Sequence, residues 1–194
     1  MAVADAFGRT EMRTGRGNLV AVDGVSGVAV AAEARRVLKA SGHDRGGISW
    51  WDASGLFDQL AVAEGQEEGV PSARTLLLLY AADLAFRLRW EIEPALAQRK
   101  TVVAAPYVDT AIAFGRAASL GGGWLSNLFQ FAPRPSARHR VTTEPRSGAT
   151  THGFVEFASA QLAGRLLGMT RRQLMMRTRG RLAFATDRSK RRTA

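Results

Sequence analysis

The sequence predicts an α/β fold, a three-layer arrangement in which a parallel sheet is joined by crossover helices. Three observations carry that expectation. Short apolar runs at 18–23, 47–51 and 101–105 have the length and composition of buried strands. Each is closed by Gly, Asp or Pro and followed by residues at helical spacing. The chain is also 46% hydrophobic over 194 residues, enough to bury a core. Strands that alternate with helices pair in parallel, because a crossover helix returns the chain to the same edge.

The first run, Asn18 to Asp23, stops at Gly24. Gly24-Val-Ser-Gly27 is a turn, and Val28 to Ala40 reads as a helix with Val30, Ala34, Val37 and Leu38 on one face. Ser41-Gly42-His43 ends it. Gly47 to Trp51 reads as the second strand, and Ser54 is placed to cap a helix over 55–63. The acidic stretch 64–69 reads as a solvent loop. Pro71-Ser72 opens a long helix over 73–98, with Leu76, Leu79, Tyr80, Asp83 and Arg87 at helical spacing. Pro94 is expected to kink or split it. Thr101 to Ala105 is the third strand, stopped by Pro106, and a helix over 110–118 follows. Gly121 to Gly123 is a joint before an amphipathic helix carrying Trp124, Leu128 and Phe129.

Past Pro135 the composition changes, with Arg, Thr and Ser replacing Leu and Val. Residues 136–153 read as a loop, 154–167 as a helix, and 169–179 as a basic helix. Leu182 to Ala185 reads as a last strand and 187–194 as a disordered tail. The charge follows this division. Residues 1–133 carry 13 Lys/Arg and 14 Asp/Glu, whereas residues 134–194 carry 14 and 3, so the net charge of +10 comes from the last third. The expected organisation is a flexible segment at 1–17, an α/β core at 18–133 and a basic region at 134–194.

The totals exclude several classes. There is no cysteine, hence no disulfide, thiol catalysis or cysteine zinc site, and the chain suits a reducing cytoplasm. His43, His139 and His152 follow no ligand spacing, so no metal site is expected. Residues 1–17 lack the apolar run of a signal peptide. The longest apolar run, 76–82, is too short to cross a bilayer, so no membrane association is expected.

Three segments, in order, resemble thymidylate kinase. Val22-Asp-Gly-Val-Ser-Gly27 is similar to the family's first strand and phosphate loop. Pro71 to Asp83 is similar to the central helix that lines the thymidine pocket. Thr101 to Phe114 is similar to the strand and Asp-Arg-Tyr segment, and Ile92 to Ala97 before it also fits. The likeness spans about residues 18–132. It implies the P-loop NTPase plan, eroded at its C-terminal end. By that likeness Gly24 and Gly27 belong to the phosphate turn, and Arg74, Tyr80, Tyr107 and Thr110 to the nucleotide pocket, with Tyr80 against the base. Asp83, Asp109 and Phe114 also match. The long helix from Ala73 belongs to the surface through which the family dimerises.

The departures fall on the chemistry. A phosphate loop reads G-x-x-x-x-G-K-[ST]: the glycines let backbone N–H groups approach phosphate, the lysine neutralises it and the hydroxyl holds Mg²⁺. Here the second glycine, the lysine and the hydroxyl residue are Ala29, Val30 and Ala31. The loop's acidic residue is Ser26, the Asp-Arg pair is Ala105-Pro106, and the arginine after the helix's aspartate is Leu84. Arg138 and Arg140 are the arginines available for a lid, in a context unlike the family's.

No catalytic residue and no cofactor are therefore expected; ATP and Mg²⁺ enter only if kinase activity persists. The leading reading is a non-catalytic relative acting as a binding or structural subunit, as a homodimer or with a protein partner. A second reading is a nucleic-acid-associated protein using Arg171, Arg172, Arg177 and Arg179; a third is a residual dTMP kinase. Each feature also has a plain structural account: a tight turn for Gly24 and Gly27, a core ring for Tyr80, a core or interface pair for Trp50 and Trp51, and a solvated helix for the arginines.

Overall fold

The structure, a computed structural model, describes residues 17–42, 45–62, 71–142, 153–162 and 169–190. The expected loop at 64–69 and nearly all of the N-terminal segment lie outside these residues. Four strands form one parallel sheet in the order β2-β3-β1-β4. They are β1 (Leu19–Gly24), β2 (Arg45–Trp50), β3 (Thr101–Ala105) and β4 (Ala137–Val141).

Strand alternation divides the core in two. Val20, Val22, Val103 and Ala105 point to one face, where α1 (Gly27–Ala40) covers them with Val30, Ala34 and Val37. Leu19, Ala21, Val102 and Ala104 point to the other. There they meet α3 (Ala73–Arg87), α5 (Val108–Ala117), α7 (Phe154–Gln161) and α8 (Arg171–Lys190). The shorter helices α2 (Leu56–Val62) and α6 (Gly122–Leu128) supply Phe57 and Leu125 to that side.

The long helix begins as its sequence asks, with Ser72 Oγ accepting from Thr75 N–H at 3.1 Å. It does not run evenly to residue 98. Leu88–Ile92 form a π-turn in which Glu93 N–H reaches Leu88 O, and α4 (Glu93–Ala97) follows with Pro94 in its first turn. Proline has no N–H to donate, and the widened turn before it absorbs the mismatch.

The last third departs furthest from expectation. Residues 137–141, read as loop, are strand β4, pairing Val20 with Ala137 through Gly24 with Val141. Its Ala-Arg-His-Arg-Val sequence lacks an apolar run because it is an edge strand with much of its surface exposed. Its charges are answered from neighbouring helices. Arg138 Nη1 and Arg140 Nη2 bind the two oxygens of Asp109 at 3.0 and 2.6 Å, and His139 Nδ1 lies 3.0 Å from Glu33 Oε1.

The strand expected at 182–185 is instead inside α8, which absorbs the basic helix and runs through 187–190 of the expected tail. Leu182 continues the buried row of Leu174 and Thr178 at steps of four, the spacing of a helix. The helix expected over 154–167 is seen as α7, with 163–168 outside the described residues. Among the described residues, no helix is long and apolar enough to cross a membrane.

Candidate functional site

The C-terminal ends of β1 and β3, where a parallel sheet of this kind opens a crevice, hold most of the singled-out residues. β1 ends at Gly24, and α1 starts after Ser26, whose side chain caps Ala29 N–H. Gly24 is packed tightly: a Cβ there would stand 2.7 Å from Val30 Cγ2 and 3.0 Å from Val141 O. The glycine is required by contact.

The exposed amides of a helix start attract anions. Here the anion comes from the chain itself. Glu156 Oε2 accepts from Gly27 N–H at 3.0 Å and from Gly153 N–H at 2.7 Å. Glu156 is buried, and one carboxylate oxygen thus bridges the starts of α1 and α7. The approach is close enough that a Cβ on Gly153 would lie 2.9 Å from Gly27 Cα and N.

A second buried carboxylate sits one strand position before Gly24. Asp23 Oδ1 accepts from Tyr107 N–H at 3.0 Å, Thr110 N–H at 2.9 Å and Thr110 Oγ1 at 2.8 Å. Thr110 Oγ1 in turn accepts from Gly24 N–H at 3.0 Å. Burial raises the Asp23 pKa to about 6, helped by the nearby Asp109 charge and opposed by the hydrogen bonds from Thr110 and Tyr107.

Tyr80 is fully buried. Its hydroxyl donates to Tyr107 O at 2.8 Å, and its ring centroid stands 4.4 Å from that of Phe154. The ring against Tyr80 is therefore a side chain of α7. Phe154 also meets Phe57 and Phe114 at 5.8 and 5.3 Å. Burial pushes the Tyr80 and Tyr107 hydroxyls above the ordinary tyrosine range. Tyr107 is buried as well, its hydroxyl donating to Pro133 O at 2.8 Å.

Below this, Asp83 and Arg87 form a fully buried ion pair, with Nε 3.1 Å from Oδ2. Arg87 Nη1 donates to Pro106 O and Ser49 O at 3.1 and 3.3 Å. Asp83 accepts from Asp52 N–H, Ser54 N–H and Ser54 Oγ, which fixes the turn after β2. Ser54, expected as a helix cap, serves Asp83 instead. The cap of α2 is Asp52, whose oxygens accept from Phe57 and Asp58 N–H at 2.8 and 2.9 Å.

A pocket of about 90 Å³ lies between Val30, Ala31, Trp50, Trp51, Pro106 and Phe154. Its basic side chain, Arg35, lies over the Trp50 ring at 5.8 Å. Among the described residues no group of His, Asp or Glu could hold a metal ion.

The structure thus joins Gly24, Tyr80, Tyr107 and Thr110 in one hydrogen-bonded network through Asp23, while Gly27 bonds separately to Glu156. Arg74 stands apart, exposed and 5.1 Å from the Trp124 ring. Arg171, Arg172, Arg177 and Arg179 all lie on α8. Asp23, Gly153, Phe154 and Glu156 were missed from the sequence. The signals available were an aspartate ending an apolar run and a glutamate three residues after a glycine, the spacing of a helix-start box. Neither names a partner some 90 or 130 residues away.

No protein-family model matches the chain, and no curated protein sequence does. A solved structure does match. The thymidylate kinase of Ehrlichia chaffeensis superposes with a TM-score of 0.54 at 13% identity, covering 64% of this chain and 71% of that one. The four-stranded parallel sheet with flanking helices is therefore a thymidylate kinase-like, P-loop type fold, and at that identity the likeness is one of fold.

Proposed function

We propose that this chain is a thymidylate kinase-like protein without phosphotransferase activity, working as a binding or structural subunit of the cytoplasm. The observation that carries the reading is Glu156, whose carboxylate takes the α1 amide that a phosphate would use. Phosphoryl transfer rests on positioning and charge stabilisation. The side chains beside that amide are Val30 and Ala31, and the pocket wall opposite includes Ala105 and Pro106. A bound phosphate would meet a carboxylate and apolar carbon where the reaction needs cations. Phe154 likewise fills the face of Tyr80 on which a base would stack.

A contact face supports the subunit role. Leu78, Phe86 and Trp90 are 50%, 39% and 65% exposed along the outer side of α3 and its π-turn. Large apolar side chains clustered on a surface mark a contact face. A second copy of the chain is the expected occupant. Light scattering should give a dimer that Trp90→Glu separates; a monomeric wild-type chain would point to a different protein.

The enzymatic question is tested by melting the full chain with dTMP, with ATP and Mg²⁺, and with all three. A ligand selective for the folded state raises the melting point by mass action. No shift is expected, nor ADP formation above a heat-killed control in a coupled assay. Nucleotide-dependent stabilisation together with turnover would overturn the proposal in favour of a residual dTMP kinase.

A further inference from the structure

The crevice at the C-terminal ends of β1 and β3 is open, yet apolar. Val30 and Ala31 of α1, Trp50 and Trp51 after β2, Pro106 after β3 and Phe154 of α7 form its walls. They enclose about 90 Å³. A water molecule occupies about 30 Å³ in the liquid, and an apolar cavity of about 150 Å³ takes up benzene. The space therefore suits an apolar group smaller than an aromatic ring.

The backbone around this space has its donors engaged. Gly24 N–H donates to Thr110 Oγ1, and Gly27 and Gly153 N–H both donate to Glu156. Trp51 N–H donates to Ala105 O at 3.2 Å, and Val30 N–H to Ser26 O at 2.9 Å. A phosphate or hydroxyl placed among them would give up its water without gaining a partner, which costs free energy. Hydrocarbon loses nothing there and gains burial.

The charge at the pocket is divided between its two ends. Glu156 holds the end at Gly27 and Gly153. Arg35 lies eight residues beyond Gly27, about 12 Å further along the helix. Its guanidinium carbon stands 5.8 Å from the centre of the Trp50 ring, and the side chain is exposed. Its neighbour Arg36 closes on Glu33 at 2.6 Å, whereas among the described residues Arg35 meets no carboxylate. Stacking occupies the face of a guanidinium and leaves the N–H fork to bind a carboxylate.

We infer that this pocket binds a small monocarboxylate with a branched apolar body. The body sits between Val30, Ala31, Pro106 and the tryptophan rings, and the carboxylate lies on Arg35, away from Glu156. This rests on the reading of the chain as a non-catalytic binding subunit, and it names the ligand class. A cationic ligand would meet Arg35, and an uncharged one would leave it without a partner.

The probe is 3-methylbutanoate, titrated into the full chain at pH 7. Trp50 and Trp51 stand in the wall, so tryptophan fluorescence reads occupancy. A saturable change with a Kd of about 1 mM or tighter is expected. Three relatives separate the parts: 3-methylbutanol lacks the charge, 3-methylbutylammonium reverses it and acetate lacks the body. Each should bind at least about tenfold more weakly. Arg35→Gln should weaken 3-methylbutanoate about tenfold with an unchanged melting point, and Arg35→Glu should transfer the preference to the ammonium twin. Ala31→Leu, which fills the pocket, should abolish the response. No saturable change, equal binding of the acid and the alcohol, equal binding of acetate, or an Arg35→Gln chain that binds as before overturns the inference. Silence from 3-methylbutanoate and from nucleotides alike overturns this inference alone. Displacement of 3-methylbutanoate by inorganic phosphate overturns it together with the proposed function, since the pocket would then still accept phosphate.

Discussion

Arginine plays two different parts in this chain. Three arginines of the sheet and α3 are paired: Arg87 is buried against Asp83, and Arg138 and Arg140 close on Asp109. On α8 the exposed Arg177 turns to a methionine sulfur, and Arg171 and Arg172 stand exposed in the first turn. The anions show the same division, since Asp23 and Glu156 are spent on backbone amides of α5, α1 and α7. Where a nucleotide-kinase plan would hold charge ready for a ligand, this chain has answered its charge from within.

That contrast can be broken at graded cost. Arg87→Ala should cost the most, about 3–5 kcal/mol, because it strands the buried Asp83 charge. Urea unfolding reads it directly, and a loss under about 1 kcal/mol would mean that the pair is not dry.

Asp23 tests the same interior through pH. Its folded pKa of about 6 lies above the ordinary aspartate value of 3.8. Its contribution is therefore fully present below pH 4 and is lost as pH rises through 6, on the order of 3 kcal/mol in all. Asp23→Asn keeps an oxygen for the Tyr107 and Thr110 amides and removes the titration. The stability difference between wild type and variant should shift in the variant's favour from pH 4 to pH 7; a constant difference refutes the buried charge.

Glu156→Ala leaves the Gly27 and Gly153 amides without their acceptor and should cost about 1–3 kcal/mol. If that variant alone gains a phosphate-dependent rise in melting point, the carboxylate is standing in for an anion.

The outer face should respond weakly. Gly180→Ala should stabilise by about 0.5–1 kcal/mol, since its Cβ enters open space and the unfolded chain loses freedom. Arg172→Ala with Arg177→Ala should change stability by less than about 0.5 kcal/mol, as for other exposed positions. A large loss from that pair would make the arginines part of the fold.

Legibility followed burial symmetry. β1, β3 and the start of α3 were readable because both faces of the strands are buried and Ser72 marks the helix start. Strand β4 was not, because an edge strand with Arg138 and Arg140 exposes no apolar pattern. Leu182 to Ala185 looked like a strand because four residues cannot separate a period of 2 from one of 3.6. At the site, Gly24, Gly27 and Thr110 were legible through a resemblance in local order. Glu156 was not, since its role exists only once α7 reaches the start of α1.

By itself the sequence determined the alternation of strand and helix, the apolar side chains at Val30 and Ala31, and the concentration of positive charge beyond residue 133. These are local or compositional properties, and periodicity and residue chemistry suffice for them. The tertiary structure alone decided that Glu156 would meet Gly27, that Phe154 would face Tyr80, and that Met176 would remain outside with its arginines. Each depends on which surfaces pack together across more than 70 residues of chain or on which face a helix turns outward. That choice is made by the burial of the whole core.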